Sequence, residues 1–590
     1  MRALDLVRPV LLRDSLQRVE AGFDRAFGPR ANPWRHLGAL GFLLFWILGA
    51  SGVYLYVVFD TSVQGAYASV QHLSREQWWF GGIVRCLHRY ASDGFVLVLL
   101  LHLAREWIYG RHRAFRWFTW VSGVPLLWLA LAAGVVGFWL VWDELAQFSA
   151  IATAEWLDWL GLFAEPLTRN FLRPDSVDDR LFSLLVFLHI GLPLLLLLGM
   201  WVHIKRLTHP DTRPSAALTW GTLAALTLLS VALPVQSGAP ADLSRVPHAL
   251  AIDWFYLAPN AAMYAWSPGA LWLVAAGVTV LLVTLPWLPR ARSQPVAKVD
   301  PANCNGCGRC FVDCPYAAIT IEHRTTGAIE HRTTGSIEHR TTGTIEHRTT
   351  GTIEHRTTGT IEHRTIGTIE HRTTGTIESR TTGEPRVAGA IAARTDVKRE
   401  PGLAVVDPAL CASCGVCAGS CPSSTPFRSI AELVTGIDLP QLPIGQLRSR
   451  LKCQIARLKG EVKLVVFGCD HAADVRALQR ADTATMGLLC SGQLPPAFVE
   501  YALRQGADGV VVTGCGECDC AFRLGNTWTE QRLRGQREPH LRRTVSPAEL
   551  RVVWASAQQR DRLAHAVDAF RAELAARGRP TATDADHRYA

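Results

Sequence analysis

Six apolar stretches of about twenty residues each run through the first half of the chain, at roughly 37–58, 85–109, 116–141, 181–206, 215–235 and 268–288; each is long enough to cross a bilayer as a helix. The polar segments between them alternate in character. Lys and Arg gather in the N-terminal segment and in YGRHRAFR, KRLTHPDTRPS and PRARSQPVAK, whereas the intervening loops hold DELAQF, AEWLDWL and RPDSVDD. Positive loops stay cytoplasmic, so the pattern predicts a multi-pass protein of the cell's inner membrane with both termini inside. Ahead of the first span, LVRPVLLRDSLQRVEAGFDRAF has charges breaking every apolar run and no small-residue cleavage site, which predicts an amphipathic surface helix over 1–36 rather than a signal peptide. A solvated basic helix is the plainer alternative.

Beyond residue 290 the pattern changes. Over 455–578, KLVVFGC, TMGLLC, DGVVVTGC and LRVVWAS read as buried parallel strands separated by helices such as PAFVEYALRQ and DRLAHAVDAFRAELAA. Between 321 and 383 the octad IEHRTTGT recurs eight times, with Ser379 where the other copies have His. Each copy pairs a strand-like Thr-Ile-Glu-His with a Thr-Thr-Gly turn, which allows stacked hairpins or a small solenoid. One large apolar residue per copy favours instead a tandem expansion in a tolerant surface loop; metal binding by its histidines is a further option.

Four histidines interrupt the spans. His88 and His102 are fourteen apart, as are His189 and His203; fourteen residues are about 21 Å of helix and return to nearly the same face. Packed together, two such helices make two bis-histidine sites stacked across the membrane, where ionisable side chains are expensive and usually functional. Gly38 and Gly52, one segment earlier, and Gly123 and Gly137, one segment later, repeat the spacing of fourteen. Small residues at those depths leave room for the edges of two flat macrocycles.

This histidine and glycine frame resembles the cytochrome b family of the quinol-oxidising bc and b-f complexes over residues 10–290. The resemblance implies two b-type haems: His88 and His189 on the outer, low-potential one, His102 and His203 on the inner, high-potential one. Arg85 and Arg105 each lie three residues from a histidine, where a haem propionate is a suitable anionic partner and interfacial snorkelling the alternative. The family's outer quinone segment, Pro-Glu-Trp-Tyr, becomes Ile252, Asp253, Trp254 and Phe255, and its Leu-Pro-Trp-x-Gln becomes Leu140, Val141, Trp142, Asp143 and Glu144, which implies altered or lost outer-site chemistry. Asp253 is the outer candidate for taking a quinol proton, and His209 and Asp211 are the inner candidates. Cys86 reads as a core cysteine.

CNGCGRCFVDCP gives Cys304, Cys307, Cys310 and Cys314, and CASCGVCAGSCP gives Cys411, Cys414, Cys417 and Cys421. Both follow the two-cluster bacterial ferredoxin spacing, in which each run's fourth cysteine serves the other run's 4Fe-4S cluster; two four-cysteine zinc sites are the alternative. The octad insert must therefore leave the two runs adjacent. Cys469, Cys490 and Cys515 close three successive strands, so they converge at the sheet's carboxyl edge, and Cys518 or Cys520 completes the set. FGCDHAADV, CSGQLPPAFVEYALRQGADGVVVTGCGECDC and RLGN look like the iron-sulfur delta subunit of methyl-viologen-reducing hydrogenase, also found fused to heterodisulfide-reductase flavoproteins. That resemblance implies a 2Fe-2S cluster on Cys469, Cys490, Cys515 and Cys520, with a zinc or thiol-only α/β domain as the alternative.

Composition narrows the class. A chain of 590 residues with 49% hydrophobic residues and 20 Trp fits a membrane part joined to a soluble one. Most of the 15 Cys lie after residue 300 at metal-site spacings, which places the soluble part on the reducing cytosolic face. Dinucleotide and P-loop fingerprints, a hydrolytic triad and a Cys-x-x-Cys-His site are absent, so a separate flavoprotein or a hydrogenase- or heterodisulfide-reductase-like subunit is the expected partner, with no nucleic acid. The expected architecture is an all-α bundle of six spans (37–290), an α+β two-cluster ferredoxin domain (296–430), an α/β parallel-sheet domain (455–578) and a tail (579–590). Electrons then pass among the delta-like cluster, the ferredoxin clusters, the inner haem and quinone. Quinol oxidation driving electrons back to the cytoplasm and a non-catalytic redox anchor or sensor are the rival functions.

Overall fold

The computed structural model describes residues 4–247, 249–288, 295–322, 402–429 and 432–577, with 4–10 as backbone, together with the backbone of seven short strands between 328 and 380. All six expected apolar stretches are helical. After α1 (Leu4–Phe27) come α2 (Leu37–Val58), α3 (Ile83–Ile108), α4 (Trp117–Val141), α5 (Asp179–Ile204), α6 (Ala216–Ala232) and α7 (Pro268–Thr284). Four helical segments, Leu37–Val58, Ala114–Val141, Asp179–Ile204 and Pro268–Trp287, are long and apolar enough to cross a membrane. The other two depart from that standard for visible reasons: α3 carries Arg85, Arg89, Asp93, Arg105 and Glu106, and α6 has only 17 residues. Side-chain caps set where helices begin. Asp178 accepts from Arg180 and Leu181, Ser215 from Leu218, and Ser267 from Ala270.

Helix α2 packs along α3, and α4 along α5. Leu40, Leu44 and Phe45 meet Phe95, Val96 and Val98 in a core that also takes Leu126, Leu196 and Met200. The opposite faces stay apolar yet uncovered, as at Phe187, Leu194, Leu198 and Trp201 of α5, which suits contact with lipid. α1 is more than a surface helix. Its Glu20 is buried, donated to by Arg105 Nε at 2.8 Å and by the Tyr109 hydroxyl at 2.8 Å.

In the ferredoxin-like region β1 (Ile319–Glu322) pairs antiparallel with β2 (Leu403–Val406), Ile319 opposite Val406. The octad segment therefore leaves and re-enters through one two-stranded ladder, and the two cysteine runs stay adjacent. Its backbone forms neither hairpins nor an irregular loop: strands pair in parallel with the copy sixteen residues on, Ile329 with Ile345 and Ile345 with Ile361 in one sheet, Ile337 with Ile353 in another. The described strands follow the solenoid alternative, because like copies pair in register with the second copy along rather than with the next one.

The carboxyl-terminal domain has β3 (Leu464–Cys469), β4 (Thr483–Leu488), β5 (Gly509–Gly514) and β6 (Leu550–Trp554) in a wholly parallel sheet of order β4-β3-β5-β6. Val465, Phe467, Val510 and Val512 face Leu447, Leu451 and Ile455 of a helix, Ile444–Arg457, that the pattern of apolar positions did not single out.

Ionic contacts lock the soluble domains together. Asp313, beside Cys314, is gripped by Arg532, whose side chain is fully buried, and by Arg537 Nε at 2.8 Å. Removing one partner of a buried pair leaves an uncompensated charge. Asp313→Ala is therefore expected to destabilise the iron-sulfur half by about 3–5 kcal/mol, read as a lower urea midpoint for the full-length protein.

Candidate functional site

Each helix of a pair contributes a different part. On α3 and α5 lie the four histidines, and on α2 and α4 the four glycines. Every glycine faces one imidazole: a Cβ placed on Gly137 would sit 3.0 Å from His189 Cε1, on Gly52 3.2 Å from His88 Cε1, on Gly123 3.3 Å from His203 Cε1, and on Gly38 3.9 Å from His102 Cε1. Because contacts of about 3.5–4 Å are the comfortable range between carbons, the missing side chains are what let the helices bring the rings this close.

The rings of His88 and His189 have centroids 6.2 Å apart. Two metal-imidazole bonds of about 2 Å plus the ring radii come to about 6 Å, so one metal fits between them. Hydrogen bonds orient three of the four rings. His88 Nδ1 meets Ser51 Oγ at 2.9 Å while that hydroxyl donates to the Ile47 carbonyl at 2.7 Å. His203 Nδ1 meets Ser122 Oγ at 3.1 Å, and Ser122 in turn donates to the Thr119 carbonyl at 3.2 Å. His189 Nδ1 donates to the Ala133 carbonyl at 3.1 Å. With Nδ1 carrying the proton, Nε2 is left as the free base that ligates. Ser51-Gly52 and Ser122-Gly123 are the same dipeptide, one serving the His88 level and the other the His203 level, a sequence signal that spacing analysis passed over.

Below the inner pair opens a cavity of about 810 Å³ lined by Gly38, His102, Gly123 and His203, and also by Cys518 and Cys520 of the carboxyl-terminal domain. A flat macrocycle fits a space of this size and shape of lining, apolar with a basic rim. Among the described residues, the ferredoxin-like part adds Tyr316 and Leu410 to the wall but no cysteine. Among the described residues, Cys518 and Cys520 of the delta-like domain thus share this cavity with the inner histidines.

Buried charges join the parts at this mouth. Asp519 accepts from Arg111 at 3.0 Å and Arg105 at 3.2 Å, and lies 3.4 Å from Arg35. Burial alone would raise the Asp519 carboxyl, but Arg111, Arg105 and Arg35 outweigh it and hold it below the usual carboxylate range. Arg105, expected beside a propionate, therefore has protein carboxylates, Glu20 and Asp519, as its partners. Arg85 keeps only hydroxyl partners, Ser74 and, at 2.7 Å, Ser237.

The cysteines sort into three sets. A small pocket is ringed by Cys304, Cys307, Cys310 and Cys421, and burial with the charges of Cys421, Cys307 and Cys304 pushes Cys310 up to about 12. Burial likewise pushes Cys414 up to about 12, with Cys314 and Cys411 adding to it; Cys417 responds to Cys414, Cys314 and Cys411. Cys421 thus joins the first run's three cysteines at one pocket, and Cys314 neighbours Cys411 and Cys414. In the third set Cys469 and Cys520 are each neighbours of both Cys490 and Cys515. Cys518 is outside it, exposed and held in a left-handed turn at φ 58°. Among the described residues no three His, Cys, Asp or Glu side chains gather as the ligands of a single ion do.

The expected quinone residues are not equivalent. Asp253 is paired with Arg89 and caps the Phe255 and Tyr256 amides at 2.9 and 3.0 Å. Asp143, where the chain departs from the family's loop, caps the following helix through Ala146 and takes the Gly238 amide. His209 and Asp211 both line the cavity. The His209 carbonyl accepts from Arg523 at 2.8 Å, and Asp211 meets His36 Nδ1 at 3.2 Å. His36, missed in the sequence, is raised to about 9, chiefly by its bond to Asp211. Cys86 is buried and receives only the Val235 amide.

Three family profiles match the chain: Cytochrome b/b6/petB over residues 24–210, 4Fe-4S binding domain over 296–319, and methyl-viologen-reducing hydrogenase, delta subunit, over 465–578. Among solved structures, one titled "Hyperthermophilic respiratory Complex III" is similar at a TM-score of 0.36 and 20% identity, over 43% of this chain and 74% of that one.

The glycine distances rank an alanine series. Gly137→Ala and Gly52→Ala, at 3.0 and 3.2 Å, are expected to lower the bound haem measured as pyridine haemochrome, and Gly38→Ala, at 3.9 Å, to lower it least; equal losses would contradict the pairing of glycines with imidazoles. For His36 the folded value lies above the ordinary one, so its contribution to stability is complete below pH 6.5 and lost as pH rises through about 9. Thermal midpoints across that interval are expected to fall in the wild type and to fall less in His36→Gln.

Proposed function

Because the chain joins a cytochrome b segment to iron-sulfur segments of two kinds, we propose that it is a membrane-bound respiratory oxidoreductase subunit linking a cytoplasmic redox partner to the quinone pool. The partner is a flavoprotein or a hydrogenase- or heterodisulfide-reductase-like subunit. The observation that carries this reading is the single cavity shared by His102, His203 and Cys520. All six long helices cross the inner membrane in this reading, with both termini and the iron-sulfur domains in the cytoplasm.

His88 with His189, and His102 with His203, are the ligands assigned to two b-type haems, edged by Gly38, Gly52, Gly123 and Gly137. Arg85, which has hydroxyl partners and no carboxylate, is assigned to a propionate. Cys304, Cys307, Cys310 and Cys421 are assigned to one 4Fe-4S cluster and Cys314, Cys411, Cys414 and Cys417 to the other; Cys469, Cys490, Cys515 and Cys520 take a 2Fe-2S cluster. When bound, these groups supply one-electron carriers.

The chain's own side chains bind, orient and manage protons. Ser51, Ser122 and the Ala133 carbonyl hold imidazole protons at Nδ1. At the inner mouth, His36 and Asp211 share a proton between Nδ1 and Oδ2 beside the cavity, which suits proton delivery to a quinone reduced from the cytoplasmic side. The outer carboxylate Asp253 is engaged by Arg89, which favours quinone reduction over quinol oxidation. In inverted vesicles given reduced methyl viologen and a short-chain quinone, we expect quinone reduction that His203→Ala and Cys520→Ala each abolish. Fully loaded wild-type protein that reduces no quinone would contradict the assignment.

A further inference from the structure

The delta-like domain could dock on the membrane part in many ways, yet one carboxylate sits where docking is decided. Asp519 lies between Cys518 and Cys520, on a loop turned by the Asp519 amide donating to the Gly516 carbonyl at 3.1 Å. Its side chain is only 15% exposed and reaches out of its own domain to three guanidiniums. Arg35 precedes α2, Arg105 ends α3 and Arg111 follows it, so the three come from the cytoplasmic rim of both helices that frame His102. Glu20 of α1 closes the network on Arg105 at 2.8 Å. On the domain side, Cys520 neighbours Cys490 and Cys515, and Gly525 passes so close that a Cβ there would lie 2.2 Å from Cys490 Sγ and 3.2 Å from Cys520 Sγ. The thiol and the carboxylate are thus carried on adjacent residues of one closely packed loop, and both residues line the cavity.

We propose that Asp519 is a positioning residue that seats the Cys520 thiol against the mouth of the inner histidine cavity by engaging Arg35, Arg105 and Arg111. This rests on the functional reading above. A buried carboxylate among three guanidiniums has strong geometric preference, since each charge-assisted contact is short and directional. Other contacts between the halves are looser in this respect: Arg523 donates to the backbone carbonyls of Thr208, His209 and Pro315, and Arg116 to the Tyr316 hydroxyl and the Ala521 carbonyl. These contacts, with the exposed Arg30–Glu517 pair at 3.4 Å, reach the loop through backbone carbonyls, a hydroxyl or solvent-exposed side chains rather than through a buried carboxylate.

The test uses full-length protein purified from membranes, as wild type, Asp519→Asn, Asp519→Glu and Arg111→Gln. Two signals are followed: amide hydrogen exchange, and the rate at which the b-haem band appears after mixing with reduced methyl viologen. In Asp519→Asn and in Arg111→Gln, exchange over 516–524 is expected to rise and haem reduction to slow, while exchange in strands β3 and β5, iron, labile sulfide and haem content stay at wild-type levels. Asp519→Glu is expected to recover the rate. Arg111→Gln disturbs the clamp from the membrane side without touching the cysteine loop, so it answers even if Asp519→Asn misfolds. Unchanged exchange and rate in both disrupted variants, or loss of iron from both, would overturn the positioning role. Wild-type protein without a b-haem band would overturn the functional reading instead.

Discussion

Close approach of imidazole to glycine backbone is the constraint on which the membrane half depends. Two helices bearing histidines have to lie within van der Waals reach of two helices bearing glycines, and they have to do so twice, fourteen residues apart along each. Any Cβ at Gly52 or Gly137 would stand 3.0–3.2 Å from a ring carbon, so the helix spacing and the absence of side chains are one fact. The hydroxyls of Ser51 and Ser122, placed one residue before a glycine, then reach the same rings that the glycines admit. Ring position and ring orientation come from adjacent residues of the same helix.

Where the soluble domains meet the helices a different force takes over. Desolvated guanidiniums and carboxylates are costly singly and tolerable only as complete networks, which makes them good markers of unique docking. Two such networks organise the soluble half: Asp313 with Arg532 and Arg537 fixes the ferredoxin-like part to the parallel-sheet domain, and Asp519 with Arg35, Arg105 and Arg111 joins that domain to the membrane helices. Both acidic residues neighbour cysteines, Asp313 before Cys314 and Asp519 before Cys520. Domain position and thiol position are therefore set by the same bonds.

Features with local periodicity were readable from the amino-acid sequence. The histidine and glycine spacings and the parallel strands that lead into Cys469, Cys490 and Cys515 depend on neighbours along the chain, and the structure sets those glycines against those histidines. What escaped reading depends on distant partners. Nothing near Glu20 announces that Arg105 lies over it, and nothing near His36 announces Asp211. Arg105 looked like a partner for a propionate because it lies three residues from His102; in space its partners are the acids Glu20 and Asp519. Cys520 and Cys518 likewise differ through a left-handed residue at 518, which leaves Cys518 exposed while Cys520 neighbours Cys490 and Cys515. In the octads, parallel pairing at sixteen residues was invisible because one copy specifies a strand and a turn but not which copy it meets.

Taken together, the parts describe a route of ligand sites running from the exposed Cys307, through Cys414 and Cys520, to the paired histidines within the helices. Every step of that route relies on the imidazole pairs binding haem. Low-temperature electron paramagnetic resonance of the air-oxidised, purified protein addresses this most directly. The account predicts two distinct low-spin ferric haem signals of the bis-imidazole type, with His189→Ala removing one and His203→Ala removing the other. A spectrum without low-spin haem, or one that both variants leave unchanged, would contradict it.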